Sequence, residues 1–570
     1  MRKLLPFLTW LPAYRRQDLP GDLMAGVIVT IMLIPQSLAY AMLAGLPPEY
    51  GLYASILPLF VYGLLGTSRT LSVGPVAVVA LMTASALTPF AAPGSEQYIQ
   101  LALLLALMTG VIQLVLGLVR AGFVASLLSH PVVAGFITSS SILIIISQLK
   151  HILGVSAPSG HLPYEAVLNL WGALGETSIA TLVAGLSSIA LLFAMRGPLR
   201  ALLTRVGLSK STAQLIARTG PAVLVVAGMA AVGLFGADTR LGIAVVGEFP
   251  SGLPGLTLPA LDVPVLQALL PAALMIVLVG YVESVSVGRA LGARRRQVID
   301  PDQELVALGA SNIAAGFTGG MPVTGGFSRS VVNYDAGAQT GLASMITAVL
   351  IGLVTLFVAK WFSVLPQVVL AATVIVAVSS LLNFREVGRL WRYSKGDGAL
   401  MVLTMLAVLG AGVEIGIAVG VVASLMLYLW RASRPHIAVL GRVGDSEHFR
   451  NIRRHTVTTY PGLLIVRIDE NLFFANTRFL EDRLLSLVAA DKDVKHLVLV
   501  CSAISLIDAS ALESLENFIR KLRELGITVH LTDVKGPVMD RLQLIDIGKH
   551  LQPGRIFLST HEAVVALTQP

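Results

Sequence analysis

Leu71-Ser72-Val73-Gly74-Pro75 runs directly into an apolar stretch at residues 76–87. Far along the chain, Gly319-Gly320-Met321-Pro322-Val323-Thr324-Gly325-Gly326-Phe327-Ser328-Arg329-Ser330 opens a second short stretch that ends near Asp335 and Gly337. Proline suits the first helical turn, where its missing N–H would have gone unpaired. A helix from Pro75 has about 13 residues before Pro89, roughly 20 Å at 1.5 Å per residue. A membrane span needs about 30 Å, so irregular backbone must complete the crossing. Such backbone is tolerated only inside protein or beside a water-filled cavity. Two interrupted helices in corresponding halves are the mark of a transporter built from inverted repeats. Their positive N-termini, facing each other with free N–H groups, favour an anion. Two ordinary loops are the alternative, but they leave a Ser-Arg-Ser run unexplained at the head of an apolar helix.

The surrounding chain has the composition this demands. Of 570 residues 55% are hydrophobic and only 13% charged, against about 25% charged in a typical soluble domain. Near residue 430 the character changes, and the last part alternates charged and apolar positions as a soluble domain does. Apolar stretches lie at residues 23–43, 50–65, 99–119, 122–147, 179–195, 221–235, 266–287, 305–318, 341–358, 365–381, 400–409 and 415–430. With the short stretches 75–87 and 327–336 the expected total is fourteen. Arg2, Lys3, Arg15, Arg16, Arg69, Arg120, the 196–210, 289–296 and 385–395 loops fall on one side of such a count. The opposite loops hold little more than Arg240, with Lys150 and Lys360 as exceptions. This bias predicts both termini in the cytoplasm and an even number of spans, which twelve would satisfy as well. It also accounts for the net charge of +8 without nucleic acid. The lone Cys501 rules out intrachain disulfides and thiolate metal clusters. No cleavable signal peptide is evident, and residues 1–21 read as a cytoplasmic segment whose first half suits the membrane surface.

Two charges inside apolar stretches are functional candidates, because an intramembrane ion is costly unless it is used. Arg329 is placed either to neutralise an anion or to pair with a carboxylate. Glu283 follows Gly280-Tyr281-Val282 and reads as a proton carrier or ion-pair switch; with Arg289 six positions on, a helix-end residue near headgroups is the alternative. In the first stretch, Pro35 perturbs the helix beside Gln36 and Tyr40, which share a face at i,i+4. Gln36 suits donation to an oxyanion, and Tyr40 supplies wall and hydroxyl or a helix contact. Gly110, Gly117, Gly416 and Gly420 read as close-packing positions.

These strings resemble the SulP sulfate permeases, bacterial relatives of the SLC26 anion transporters. The likeness runs through Pro35-Gln36-Ser37-Leu38-Ala39-Tyr40-Ala41, Gly45-Leu46-Pro47-Pro48, residues 63–76, Gly135-Phe136, Glu283-Ser284 and residues 312–341. It implies a polytopic α-helical protein of 14 transmembrane helices in 7+7 inverted repeats, similar to the uracil-permease type. A core would carry the substrate against a gate in an elevator-like movement. It implies an anion between the third and tenth helices, lined by the first and eighth. Carried onto this chain, Gln36, Tyr40, Gly74, Pro75, Val76, Ala77, Phe327, Ser328 and Arg329 bind substrate, and Glu283 couples protons. It also implies a homodimer.

The tail resembles a STAS domain, a cytoplasmic α/β fold. Strands are expected at residues 463–468, 496–500 and 527–531, and a helix over 512–525 stopped by Gly526. Asp508-Ala509-Ser510-Ala511-Leu512 matches the loop that carries a phosphorylatable serine in anti-sigma-factor antagonists, with Ala511 where glycine is common. Ser510 is therefore a candidate regulatory site or simply an N-cap. The expected divisions are 1–21, 22–432 as membrane body, 433–454 as linker and 455–570 as STAS domain. No enzyme is expected: His496 and His530 lie in strand-like runs, are not adjacent in sequence and have no obvious metal-ligand partner, and there is no phosphate loop ending in Gly-Lys-Ser or Gly-Lys-Thr. No cofactor or metal is expected. The functional expectation is sulfate:H⁺ symport into a bacterium across its inner membrane. Rivals are Na⁺-coupled bicarbonate uptake, H⁺-coupled dicarboxylate uptake, a passive anion channel and a membrane-anchored STAS scaffold with a regulatory partner.

Overall fold

The computed structural model describes residues 5–568 except 127, 158–162, 210–212, 214–215, 218, 248 and 251. Arg2, Lys3 and Lys210, used above for orientation, lie outside them. Contacts divide the chain into Met1–Ser424 and Leu425–Pro570.

Each of the fourteen apolar stretches carries a helix. In order these are Leu19–Leu43, Glu49–Leu65, Ala77–Leu87, Glu96–Leu118, His130–Leu153, Ile179–Ala194 and Gly220–Phe235, then Val263–Arg294, Pro301–Phe317, Phe327–Asp335, Leu342–Phe357, Gln367–Ser379, Lys395–Ala411 and Val413–Ala432. Among the described residues seven helical runs are long and apolar enough to cross a membrane, and the chain is a polytopic helical membrane protein. The fifth helix departs from its expected start at Gly122: Gly122–Ser126 is a separate 3₁₀ turn. The α-helix begins at His130 because Ser129 is extended and Pro131 occupies its first turn. It ends on Gly154 in the left-handed conformation, φ 66°, whose N–H reaches the Lys150 carbonyl.

The two short helices are the third of each seven. Neither starts at a proline. Pro75 lies outside the helix, Val76 is its extended N-cap, and the third helix begins at Ala77, after a two-residue strand. β1 (Val73–Gly74) pairs antiparallel with β2 (Thr324–Gly325), Val73 opposite Gly325 and Gly74 opposite Thr324. Each interrupted crossing thus satisfies part of its backbone on the other, as hydrocarbon surroundings require.

Glycines set a close contact between the fourth and ninth helices. A Cβ on Gly110 would stand 2.5 Å from the Ile313 nitrogen, and one on Gly309 2.6 Å from the Leu114 nitrogen. Gly117 and Gly316 make the same approach one heptad on. Gly416 and Gly420 likewise admit Val408 and Thr404 of the thirteenth helix. The obstacles at Gly110 and Gly309 are backbone atoms, which cannot swing away. Gly309→Val is therefore expected to abolish the monodisperse folded species on detergent size-exclusion. Gly233→Ala, with nothing within 4 Å, is the control that leaves it intact; equal behaviour of the two would refute the packing account.

The tail has a six-stranded sheet. Its strands are β3 (Ile437–Arg442), β4 (Phe449–Asn451), β5 (Leu463–Ile468), β6 (His496–Val500), β7 (Thr528–Thr532) and β8 (Ile556–Phe557), in spatial order β4-β3-β5-β6-β7-β8. β5 to β8 are parallel; β3 is antiparallel to both neighbours. β3 and β4 come from residues 433–454, so that segment is not a plain linker. Its alternation, with Ala438 and Leu440 buried, is that of a half-buried strand. Leu497 and Leu499 pack under Leu484, Phe518 and Leu522 on one face. Val498 and Val500 meet Phe557, Ala563 and Val564 on the other.

His496 and His530, far apart in sequence, are neighbours on β6 and β7. The Arg555 N–H donates to His530 Nδ1 at 3.2 Å, so the proton sits on Nε2, which donates to His496 Nδ1 at 3.2 Å. Burial, with His496 and Arg555 adding, holds His530 down at about 4, below its ordinary 6.5. The neutral form is thus favoured in the fold. Its contribution is complete above pH 6.5, shrinks as pH falls toward 4 and is then exhausted. Protonation would set an N–H against that of Arg555 beside the edge strand β8. Hydrogen exchange at residues 555–558, corrected for intrinsic rates, is expected to quicken between pH 7 and 5. Constant protection would contradict this.

Candidate anion-binding site

Side chains from four elements hold the β1–β2 crossing. Asn312, buried in the ninth helix, accepts from the Val323 N–H at 2.7 Å and donates to the Val323 carbonyl at 3.0 Å. Gln113 of the fourth helix takes a further Asn312 amide hydrogen bond at 3.0 Å. Ser284 Oγ accepts from the Gly325 N–H and contacts Thr324 Oγ1, both at 2.8 Å. On the β1 side, Ser330 Oγ accepts from the Ser72 N–H and Asn333 donates to the Thr70 carbonyl, each at 3.0 Å. Buried amide and hydroxyl groups hydrogen-bonded across the crossing specify one arrangement of the strands.

Both short helices start beside this crossing, and neither Val76 nor Gly326 supplies a side-chain cap. Their first-turn N–H groups keep their positive end available. Arg329 lies between them, 2% exposed. Its Nη1 donates to the Pro75 carbonyl at 2.5 Å, while Nε and Nη2 have no hydrogen-bond partner. A Cβ on Gly326 would be 2.9 Å from Nη2 and one on Gly74 3.5 Å away, so the guanidinium rests on glycine backbone. A pocket of about 520 Å³, its open mouth included, adjoins it. Gln36, Tyr40, Pro75, Val76, Ala77, Glu283, Phe327, Ser328 and Arg329 all line it. Gly74 does not; its part is to pair with Thr324 and admit the guanidinium.

Glu283 forms no ion pair with Arg329, although each lies within the other's electrostatic reach. The eighth helix runs on to Arg294, so Glu283 is well inside it and not a helix-end residue. Glu283 also borders an apolar space of about 350 Å³ between Val132, Phe136, Val279 and Ile417. A buried cation with unpartnered N–H groups, two uncapped helix ends and an adjacent carboxylate can bind a compact oxyanion and exchange a proton beside it.

The sequence profile described as the sulfate permease family matches residues 19–404, and that of the STAS domain matches residues 454–563. The chain belongs to the sulfate permease family. Sulfate transporter 4.1, chloroplastic, of Arabidopsis thaliana is 36% identical over 99% of this chain and 83% of its own length. The probable sulfate transporter MT1781 of Mycobacterium tuberculosis is 36% identical over 99% of both chains. The structure of the murine Slc26a9 anion transporter in the inward-facing state superposes with a TM-score of 0.88 at 25% identity, covering 99% of this chain and 94% of that one. The transmembrane domain of the cyanobacterial bicarbonate transporter BicA matches in fold, with a TM-score of 0.60 at 23% identity over 72% of this chain and 98% of that one.

This member of the sulfate permease family also has buried polar residues to which the sequence reading gave no role. Ser284, Ser330 and Asn333 carried no charge to draw notice. Glu304, in the ninth helix, is fully buried and accepts from Tyr62 Oη, Thr67 N, Thr67 Oγ1 and Ser68 N at 2.6–3.2 Å. Asp22, also fully buried, accepts from the Gln339 and Thr340 amides and the Thr340 hydroxyl. An acid close to a helix start looks like a surface residue, and only the distant partners reveal the burial. In the tail, Ser510 is exposed in the first turn of Ala509–Glu524. It is not the N-cap: Asp508 is, accepting from the Ala511 N–H at 2.8 Å.

Proposed function

We propose that this protein takes up sulfate together with protons by secondary active transport. The observation that carries the reading is the buried guanidinium of Arg329, two of its nitrogens unpartnered, between two uncapped helix N-termini. Three positive elements on one small pocket suit a doubly charged oxyanion, and sulfate is the substrate named for the relatives. Glu283 at the pocket edge supplies a proton-binding group, so that carriage of a proton offsets part of the anion's charge. Against a negative interior each uncompensated charge costs about 2.3 kcal/mol per 100 mV.

The movement is proposed to be elevator-like, the first, third, eighth and tenth helices carrying the site past the gate. The basic loops support cytoplasmic termini, and a bacterial inner membrane is the expected location, with a homodimer as the assembly. Ser510, exposed at a helix N-terminus, is proposed as a phosphorylation site, since added negative charge is favoured there.

Proteoliposomes test the transport reading. Uptake of labelled sulfate is expected to accelerate when the outside is acidified, and bicarbonate and fumarate to compete weakly. Glu283→Gln is expected to retain sulfate binding yet lose the response to the pH gradient. Sulfate flux indifferent to pH and voltage would contradict symport, and full proton-dependent uptake by the variant would remove Glu283 as carrier.

A further inference from the structure

Beside the Arg329 pocket lies a larger space of about 960 Å³ between the first, sixth, seventh and twelfth helices. Gln36, Ser328, Ala377 and Ser380 line both, so one leads into the other. Arg196 is the one cation among the described residues lining the larger space. Its Nη1 donates to the Val376 carbonyl at 2.7 Å, which ties the guanidinium to the twelfth helix.

An anion leaving Arg329 for water would otherwise cross low-dielectric walls with no counter-charge. Traffic through such a route is fastest when binding is divided over several weaker stations, and a cleft lined by one sign of charge concentrates the opposite ion. We propose that this vestibule is a second anion subsite, in which Arg196, with Gln36, holds an oxyanion in transit between Arg329 and the adjoining water. The proposal rests on the anion-transport reading and adds a named station to it. Arg196 then sets the rate at which the anion arrives, whereas Arg329 sets the affinity of the final site.

The test uses the full chain in proteoliposomes with Ser380→Cys as reporter, because Ser380 is exposed on the shared wall. The native Cys501 is buried and contributes little background. Labelling rates are compared for an anionic and a cationic methanethiosulfonate of similar size. Arg196→Gln is expected to lower the anionic-to-cationic rate ratio roughly tenfold, and Arg196→Lys to preserve it. Millimolar sulfate should slow anionic labelling with Arg196 present but not in Arg196→Gln. In sulfate uptake, Arg196→Gln should raise KM and leave kcat nearly unchanged. A ratio and KM untouched by Arg196→Gln would overturn the subsite. If Arg196→Gln is not recovered folded, the ratio in the Ser380→Cys protein must still fall with ionic strength, and a salt-independent ratio overturns the proposal. Absence of any sulfate uptake by the parent protein would defeat the transport reading instead, while the labelling ratio would still decide the subsite.

Discussion

Arg329→Ala is expected to lose saturable sulfate binding by at least about 100-fold. Charge-assisted hydrogen bonds are worth about 1.5–3 kcal/mol each, and the guanidinium has two nitrogens unpartnered within the fold. Two such bonds give about 3 kcal/mol or more, and every 1.4 kcal/mol is tenfold. The fold itself should survive, because the substitution removes a buried charge held by a single hydrogen bond, to Pro75. Lysine restores charge but not the planar fork that reaches both the Pro75 carbonyl and an anion, so Arg329→Lys should recover only part of the affinity. Equilibrium binding of labelled sulfate, with size-exclusion as the folding control, checks both. Wild-type affinity in a well-folded Arg329→Ala protein would exclude direct coordination.

The largest effect on stability is expected at Glu304. Its carboxylate receives four hydrogen bonds from Tyr62, Thr67 and Ser68, all shorter than about 3.2 Å. Glu304→Ala would strand these donors inside the body at about 3–5 kcal/mol, a fall in Tm of about 5 °C for a unit of this size. Tyr62→Phe removes one of the four and should lower Tm by a fraction of that. The damage should also reach the substrate, since Thr67 and Ser68 begin the loop that becomes β1, where Ser68 Oγ accepts from the Leu71 N–H at 3.1 Å. Sulfate affinity is therefore expected to weaken in parallel. Thermal unfolding in detergent measures the first effect, and an unchanged Tm would show that Glu304 is not an anchor.

Much of this architecture is legible in the chain because a membrane imposes simple rules. Length and apolarity mark the fourteen helices, and glycine with proline marks the two that cannot span. Arg329 and Glu283 stand out because ions are rare in such surroundings. Less legible is what depends on distant pairing. Pro75 reads as a helix start, yet Val73 and Gly74 just before it pair with Gly325 and Thr324, and the helix begins only at Ala77. Glu304 and Asp22 sit near helix starts like surface acids, and their burial is decided by loops remote in sequence. In the tail, residues 433–454 hold two short strands that become evident only through pairing, β3 with β5 and β4 with β3. His496 and His530 gain meaning only when β6 and β7 lie side by side.

The central claim is that sulfate enters with protons through the Arg329 site. Proteoliposomes loaded with a pH-sensitive dye, equal pH on both sides and the membrane potential clamped at zero, test it most directly. Adding sulfate outside is predicted to acidify the interior, with no acidification in Arg329→Ala or Glu283→Gln proteins. Accumulation of labelled sulfate at constant internal pH would contradict the account.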